Sequence, residues 1–213
     1  MAEPLDNSKP RNSKTLSIPT GEGIIIDIGT GDGTFVYHCA RLNPGKFVIG
    51  IDPNTRPLQK ISEKIYRKPD KGGLPNALFL QAAVEDLPEE LNGVADEIHV
   101  HFPWGNLLGA LVGGDLNVLK GLRKICSDGA LLEVVTGLDE DRDRTELERL
   151  GISDFSISHI KQVLTPLYLE AGFKITECGN LPPSHWPKLH TSWAKRLKHS
   201  STRSLTYVVA EAI

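Results

Sequence analysis

Cysteine is scarce in this chain: three occur in 213 residues (Cys39, Cys126 and Cys178), with no Cys-x-x-Cys pair and no Cys/His cluster. A disulfide framework is thereby excluded, and a zinc finger has no ligand spacing to stand on, so no metal is expected. Long apolar runs are missing as well. None approaches the ~18 residues that a bilayer-spanning helix needs, so no membrane partner is expected. The first 23 residues hold Asp6, Lys9, Arg11 and Lys14 but no apolar h-region, which argues against a secretory signal and for the cytoplasm. Neither the seven histidines nor the serines are spaced as a nucleophile–base set, so a hydrolytic triad has no support. What is present suits one globular domain: 39% hydrophobic and 24% charged residues, in a chain long enough to bury roughly 70% of its extended surface.

The net charge of −3 is unevenly placed. Residues 56–71 carry six Lys/Arg against two acids, and residues 185–204 carry five Lys/Arg and no acid, which leaves −12 on the rest. A basic footprint on an acidic body suits a polyanion, because phosphate contacts release counterions. Either run by itself reads more readily as a solvated face, but the two together, the second without an acid, favour a nucleic acid. Lys60, Lys64, Arg67 and Lys71 recur at helical spacing, which predicts a basic stripe along one helix face unless Pro69 breaks it.

Along the chain, residues 1–22 are rich in Ser, Pro, Asn and Lys without a period and read as a loosely docked arm; the domain proper is expected over 23–213. Apolar runs at 23–28, 47–51, 77–80, 97–102 and 130–136 alternate with helical spacings at 34–42, around Leu58, Ile61 and Ile65, and at 118–125. Residues 137–150 are acidic and helix-compatible, and 159–172 predict one further helix with Gly172 as its stop. Runs at 173–178 and 205–210 read as two last strands around a basic insert at about 180–203. The alternation predicts an α/β fold, a seven-stranded, mostly parallel sheet with helices on both faces.

The strongest local signal is Asp27-Ile28-Gly29-Thr30-Gly31-Asp32-Gly33, a glycine-rich turn after the first strand, where open α/β sheets bind ligands. Its spacing is not that of a pyrophosphate-binding turn, and no GxxxxGK[ST] loop is present. Asp27 and Asp32 would repel a diphosphate but suit a cationic ligand such as S-adenosylmethionine. Asp52, at the end of the second strand, is placed to accept from a ribose diol, or to cap a helix ahead of Pro53. Ala82-Ala83-Val84-Glu85 leaves room for an adenine edge, with Glu85 either a contact or a surface acid. Trp104 stands on a Pro/Gly loop, which supplies no packing stripe. Trp193, flanked by Lys195 and Arg196 in the insert, reads as a stacking platform among phosphate anchors or as a dock for the insert; Trp186 is the better packing candidate.

Taken together, these residues resemble the aminoglycoside-resistance 16S rRNA (adenine(1408)-N(1))-methyltransferases, from about Ile25 to Val208. Residues 27–33 are generic to class I S-adenosylmethionine-dependent methyltransferases with their Rossmann-like fold. More particular are Gly50-Ile51-Asp52-Pro53, Lys68-Pro69-Asp70-Lys71-Gly72-Gly73-Leu74-Pro75-Asn76, Phe102-Pro103-Trp104-Gly105, Thr191-Ser192-Trp193 with Lys195-Arg196-Leu197, and Arg203-Ser204. His101 stands where the family has an apolar residue and Asn106 where a hydroxyl is common.

The resemblance implies that Trp104 and Trp193 clamp a flipped adenine, as the catalytic pair. It implies that Asp27, Gly29, Thr30, Gly31, Asp32, Asp52, Pro53, Ala83, Val84, Glu85, His101, Asn106 and Thr191 line the S-adenosylmethionine site. Arg67, Lys68, Lys71, Lys195, Arg196 and Arg203 would grip rRNA. The implied partner is the 30S subunit at helix 44 of 16S rRNA, met by a monomer, and the implied outcome is kanamycin and apramycin resistance. A tRNA (guanine-N7)-methyltransferase is the rival enzyme, though the Asp-Pro that such enzymes carry between Phe-Pro and Trp is absent. A non-catalytic S-adenosylmethionine- or RNA-binding module is the rival from another class.

Overall fold

The computed structural model describes residues 22–181, 190–192, 194 and 205–213. Seven strands make one sheet in the order β3-β2-β1-β4-β5-β7-β6: β1 Ile24–Ile28, β2 Phe47–Ile51, β3 Ala77–Leu80, β4 Ala95–His101, β5 Cys126–Thr136, β6 Phe173–Leu181 and β7 Leu205–Ala212. Pairing is parallel from β3 through β5, and β7 runs antiparallel between β5 and β6. This is the mostly parallel sheet that the sequence predicts.

Strands covered on both faces must be apolar on both, which is why β1 and β2 read as near-continuous runs. Ile25, Val48 and Ala77 pack under Val36, Tyr37 and Ala40 of α1 (Thr34–Leu42) and Ile65 of α2 (Gln59–Ile65). On the other face Ile26, Ile49, Ile98 and Leu132 meet Leu111 of α3 (Gly105–Gly113), Leu119 and Leu122 of α4 (Leu116–Ile125) and Tyr168 of α7 (Thr165–Glu170). Asp115 caps α4, its Oδ1 accepting from Asn117 N at 2.8 Å and Val118 N at 3.3 Å.

Several expectations need correction. The second helix stops at Ile65, so Arg67 and Lys71 do not continue a helical stripe; Pro69–Lys71 is a short 3-10 turn instead. Lys64 lies with its Nζ 3.9 Å from the Tyr37 ring, packed rather than free. The acidic segment after β5 is helical only over α5 (Arg144–Leu150). The helix expected at 159–172 is continuous from Ile157 to Glu170, but α6 (Ile157–His159) and α7 are joined by a π-helical turn (Ile160–Leu164). Pro166 explains the π turn, because it lacks the N–H that a regular α-helix needs and its ring crowds the carbonyl four residues back. The sequence pattern predicts no helix directly after Trp104, yet α3 begins there.

Candidate active site

At β1 the strand order reverses, with β2 on one side and β4 on the other, which opens a crevice at the strands' carboxyl ends. The glycine turn fills its floor. Gly29 N and Thr30 N both donate to Ile51 O, at 2.8 and 3.1 Å, and Gly31 N donates to Asp52 Oδ2 at 2.9 Å. Gly33 has φ 73°, and a Cβ there would sit 2.6 Å from Phe79 Cζ, so both backbone and space demand glycine.

Two cavities flank the turn and share Gly29, Gly31 and Phe102. The larger, about 470 Å³, is walled by Asp52, Ala83, Glu85, Trp104 and Asn106 among others. The smaller, about 270 Å³, is walled by Asp27, Thr30, Asp32, His101, Thr191 and Ser192.

Carboxylates dominate the electrostatics. Asp27 is buried on the α1 face of β1, and burial pushes its carboxyl up to about 6 against the pull of His101 and His99. Asp32 Oδ1 accepts from Thr34 N at 3.1 Å, while its Oδ2 accepts from the Ser192 hydroxyl. Ser192 Oγ also lies 3.0 Å from Thr34 Oγ1, which ties residues 190–192 to the start of α1. Asp52 is occupied differently from the expectation of a helix cap: α2 begins only at Gln59, and Asp52 Oδ1 accepts from Asn54 N at 2.8 Å. A carboxylate offers about four lone-pair sites, so the two backbone contacts leave it able to accept from a diol. Beyond β4, Phe102 takes a left-handed φ of 54° and its N donates to Val135 O at 2.7 Å. That turn throws Trp104 outward at the cavity mouth, 50% exposed.

The family model NpmA, 16S rRNA (adenine(1408)-N(1))-methyltransferase, matches residues 14–212. The chain belongs to that family. The 16S rRNA (adenine(1408)-N(1))-methyltransferase of Streptoalloteichus tenebrarius is 38% identical over 183 residues, 85% of this chain and 83% of that protein. The crystal structure of the aminoglycoside resistance methyltransferase NpmB1 superposes with TM-score 0.80 at 48% identity, covering 91% of this chain and 89% of that one. A variant of the enzyme from Catenulisporales acidiphilia, solved with cosubstrate SAM, superposes with TM-score 0.83 at 32% identity, covering 91% and 87%. By contrast, the tRNA (guanine-N(7)-)-methyltransferase of Bacillus cytotoxicus matches only 84 residues, 38% of this chain.

In this rRNA methyltransferase chain every residue assigned to the cofactor lines one of the two cavities. Asp52, Pro53, Ala83, Val84, Glu85 and Asn106 face the larger. Asp27, Thr30, Asp32, His101 and Thr191 face the smaller, with Gly29 and Gly31 in both. Arg67, Lys68 and Lys71 are exposed on the segment after α2. Gly72 adopts φ 83° there, and a Cβ on Gly73 would lie 1.7 Å from Arg67 O, so the Lys-Gly-Gly segment closes only with glycine. Trp186, Trp193, Lys195, Arg196 and Arg203 lie outside the described residues, as does the arm over 1–21.

One cluster went unread in the sequence. Glu133 of β5 accepts from both His99 and His101 of β4, with Oε1 3.0 Å from His99 Nδ1 and 2.7 Å from His101 Nε2. His99 Nε2 stands 3.4 Å from Glu97 Oε2, and Glu97 in turn pairs with Lys46. Burial works against a charge on His99, but Glu133 and Glu97 outweigh it and raise its pKa to about 9. The His99 hydrogen bond, with help from Lys46, holds Glu97 down to about 2. Glu133 is held well below the usual carboxylate range, its burial outweighed by the two imidazoles.

Proposed function

We propose that this protein transfers a methyl group from S-adenosylmethionine to N1 of adenine 1408 of 16S rRNA in the 30S subunit, and so confers aminoglycoside resistance of the kanamycin and apramycin type. The observation that carries this is the pair of acid-walled cavities around the glycine turn, with a half-exposed Trp104 on the wall of the larger. In this reading the protein meets the subunit as a monomer in the cytoplasm; no helix among the described residues is long and apolar enough to cross a membrane.

The bound cosubstrate supplies an electrophilic methyl on a sulfonium. Adenine N1 attacks with a neutral lone pair, so the chain needs no general base, and the pocket is asked only to bind, orient and exclude water. Asp52 receives the ribose diol, the small side chains of Ala82 and Ala83 leave space for the adenine ring, and Asp27 and Asp32 complement positive charge. Trp104 offers a face on which the target base can stack once flipped, with Trp193 as the partner face. Removing a base from its stack costs a few kcal/mol, and stacking returns about 1–3 kcal/mol per aromatic contact. Alignment of N1, methyl and sulfur supplies the acceleration, with a ceiling of roughly 7–11 kcal/mol.

Purified protein, tritiated S-adenosylmethionine and 30S subunits test this, the modified base being located by reverse-transcription stop in helix 44. A stop at adenine 1408 with no label on tRNA is the expected result. Label on tRNA would transfer the assignment to the guanine-N7 class, and cofactor binding without turnover on either substrate would leave a non-catalytic module.

A further inference from the structure

Of the cluster His99, His101 and Glu133, only His101 lines the smaller cavity, and the methyl transfer described above takes no proton from any of the three. The three side chains each present one ligating atom, all within 4.8 Å of one another. We propose that they form a divalent transition-metal site, of the zinc type, that ties β4 to β5 beneath the smaller cavity.

The backbone makes the convergence rigid. His99 and Glu133 are register partners across the parallel β4/β5 pair, and His101 stands two residues further along β4, hence on the same face. The site is shielded: the side chains of His101 and His99 are 3% and 17% exposed, and Phe35 lies with its ring 4.7 Å from that of His101. Hydrogen bonding leaves the set unbalanced. One carboxylate oxygen serves both imidazoles, while His101 Nδ1, itself buried, finds no partner among the described residues.

Two imidazoles and one carboxylate are a borderline donor set that selects zinc or cobalt over magnesium or calcium. The Glu133 side chain is 36% exposed, which opens a route for the ion and for a water at the fourth position. Glu97, which meets the far nitrogen of His99, is the outer carboxylate that orients a ligating histidine in such sites. No signature spacing announces the site in the sequence, because His99 and Glu133 are 34 residues apart and only strand register joins them.

Untagged protein stripped of metal and titrated with cobalt(II) tests the proposal. The expected result is an intense visible d–d band of a four-coordinate site saturating at one equivalent, bleached by zinc, together with a zinc-dependent rise in melting temperature. Glu133→Gln and His99→Gln should abolish the band. Glu97→Gln, which leaves all three ligands in place, should weaken binding about tenfold or more. A pale six-coordinate spectrum, or a band that persists in Glu133→Gln, overturns the site and leaves a hydrogen-bonded histidine–glutamate relay. So does a band lost when the free cysteines Cys39, Cys126 and Cys178 are changed to serine, since thiolates would then be the ligands. If the ligand variants do not fold, the zinc-dependent melting shift of the intact chain, with and without Glu97→Gln, still decides the matter.

Discussion

Asp27 is where a single side chain sets opposing demands on folding and on binding. Its ordinary pKa is 3.8 and burial lifts it to about 6, facing His101, His99 and Asp52. The folded carboxyl therefore takes its proton at higher pH than the unfolded one, so this residue's contribution to stability grows as pH falls from 6 toward 4. It is lost as pH rises through 6, where the buried charge costs about 3 kcal/mol. A cationic cosubstrate wants the ionised form, so S-adenosylmethionine affinity should fall over the same interval in which this contribution grows. Calorimetric titrations and melting curves between pH 5 and 7 check both signs. In Asp27→Asn the pH dependence from this group should vanish from both, with affinity low throughout. Trp104 makes a different case. Half-exposed at the cavity mouth, it has little packing to lose, so Trp104→Ala should shift stability by no more than about 0.5 kcal/mol while abolishing rRNA methylation. A comparable loss of cosubstrate binding in that variant would make it a wall of the cofactor pocket rather than a platform for the base.

Elements were legible in the sequence where breakers bracket them. The bounds of α1, β2 and β3 coincide with the predicted segments, because Gly33, Asn43-Pro44-Gly45 and Pro75-Asn76 cut the chain at their ends. The helix α3 was not legible: glycines at 105, 109 and 113 lower its propensity, and it stands only because Leu108, Leu111 and Val112 are buried on it. Most residues proposed for the cofactor stand at or just after the ends of β1, β2 and β3, where short motifs make them readable, whereas the His99–Glu133 pair is not readable, since register rather than sequence brings it together. The turn after α2 carries a sharp prediction. Gly73 approaches Arg67 O so closely that Gly73→Ala must displace the Arg67–Lys68 backbone. This variant should lower 30S affinity and melting temperature while leaving cosubstrate affinity intact, measured by filter binding and calorimetry. Unchanged 30S affinity would separate this turn from the rRNA contacts.

At the scale of the whole molecule, a chain with net charge −3 has to approach a polyanion, and the uneven placement of charge is what permits it. The described part of the proposed footprint is Arg67, Lys68 and Lys71, all exposed on the segment that leads from α2 through a 3-10 turn to Gly72 and Gly73. Each phosphate neutralised contributes about 0.7–0.9 to the slope of log affinity against log salt concentration. Arg67→Ala and Lys68→Ala should therefore each weaken 30S binding most at low salt and flatten that slope by about one. Trp104→Ala makes the necessary contrast, because a stacking residue touches no phosphate: it should leave the slope unchanged while methylation disappears. The two classes of variant thus separate docking on the subunit from capture of the base. Equal slopes in all three variants would mean that the turn after α2 does not touch the rRNA backbone, and would place the footprint wholly on the basic insert before β7.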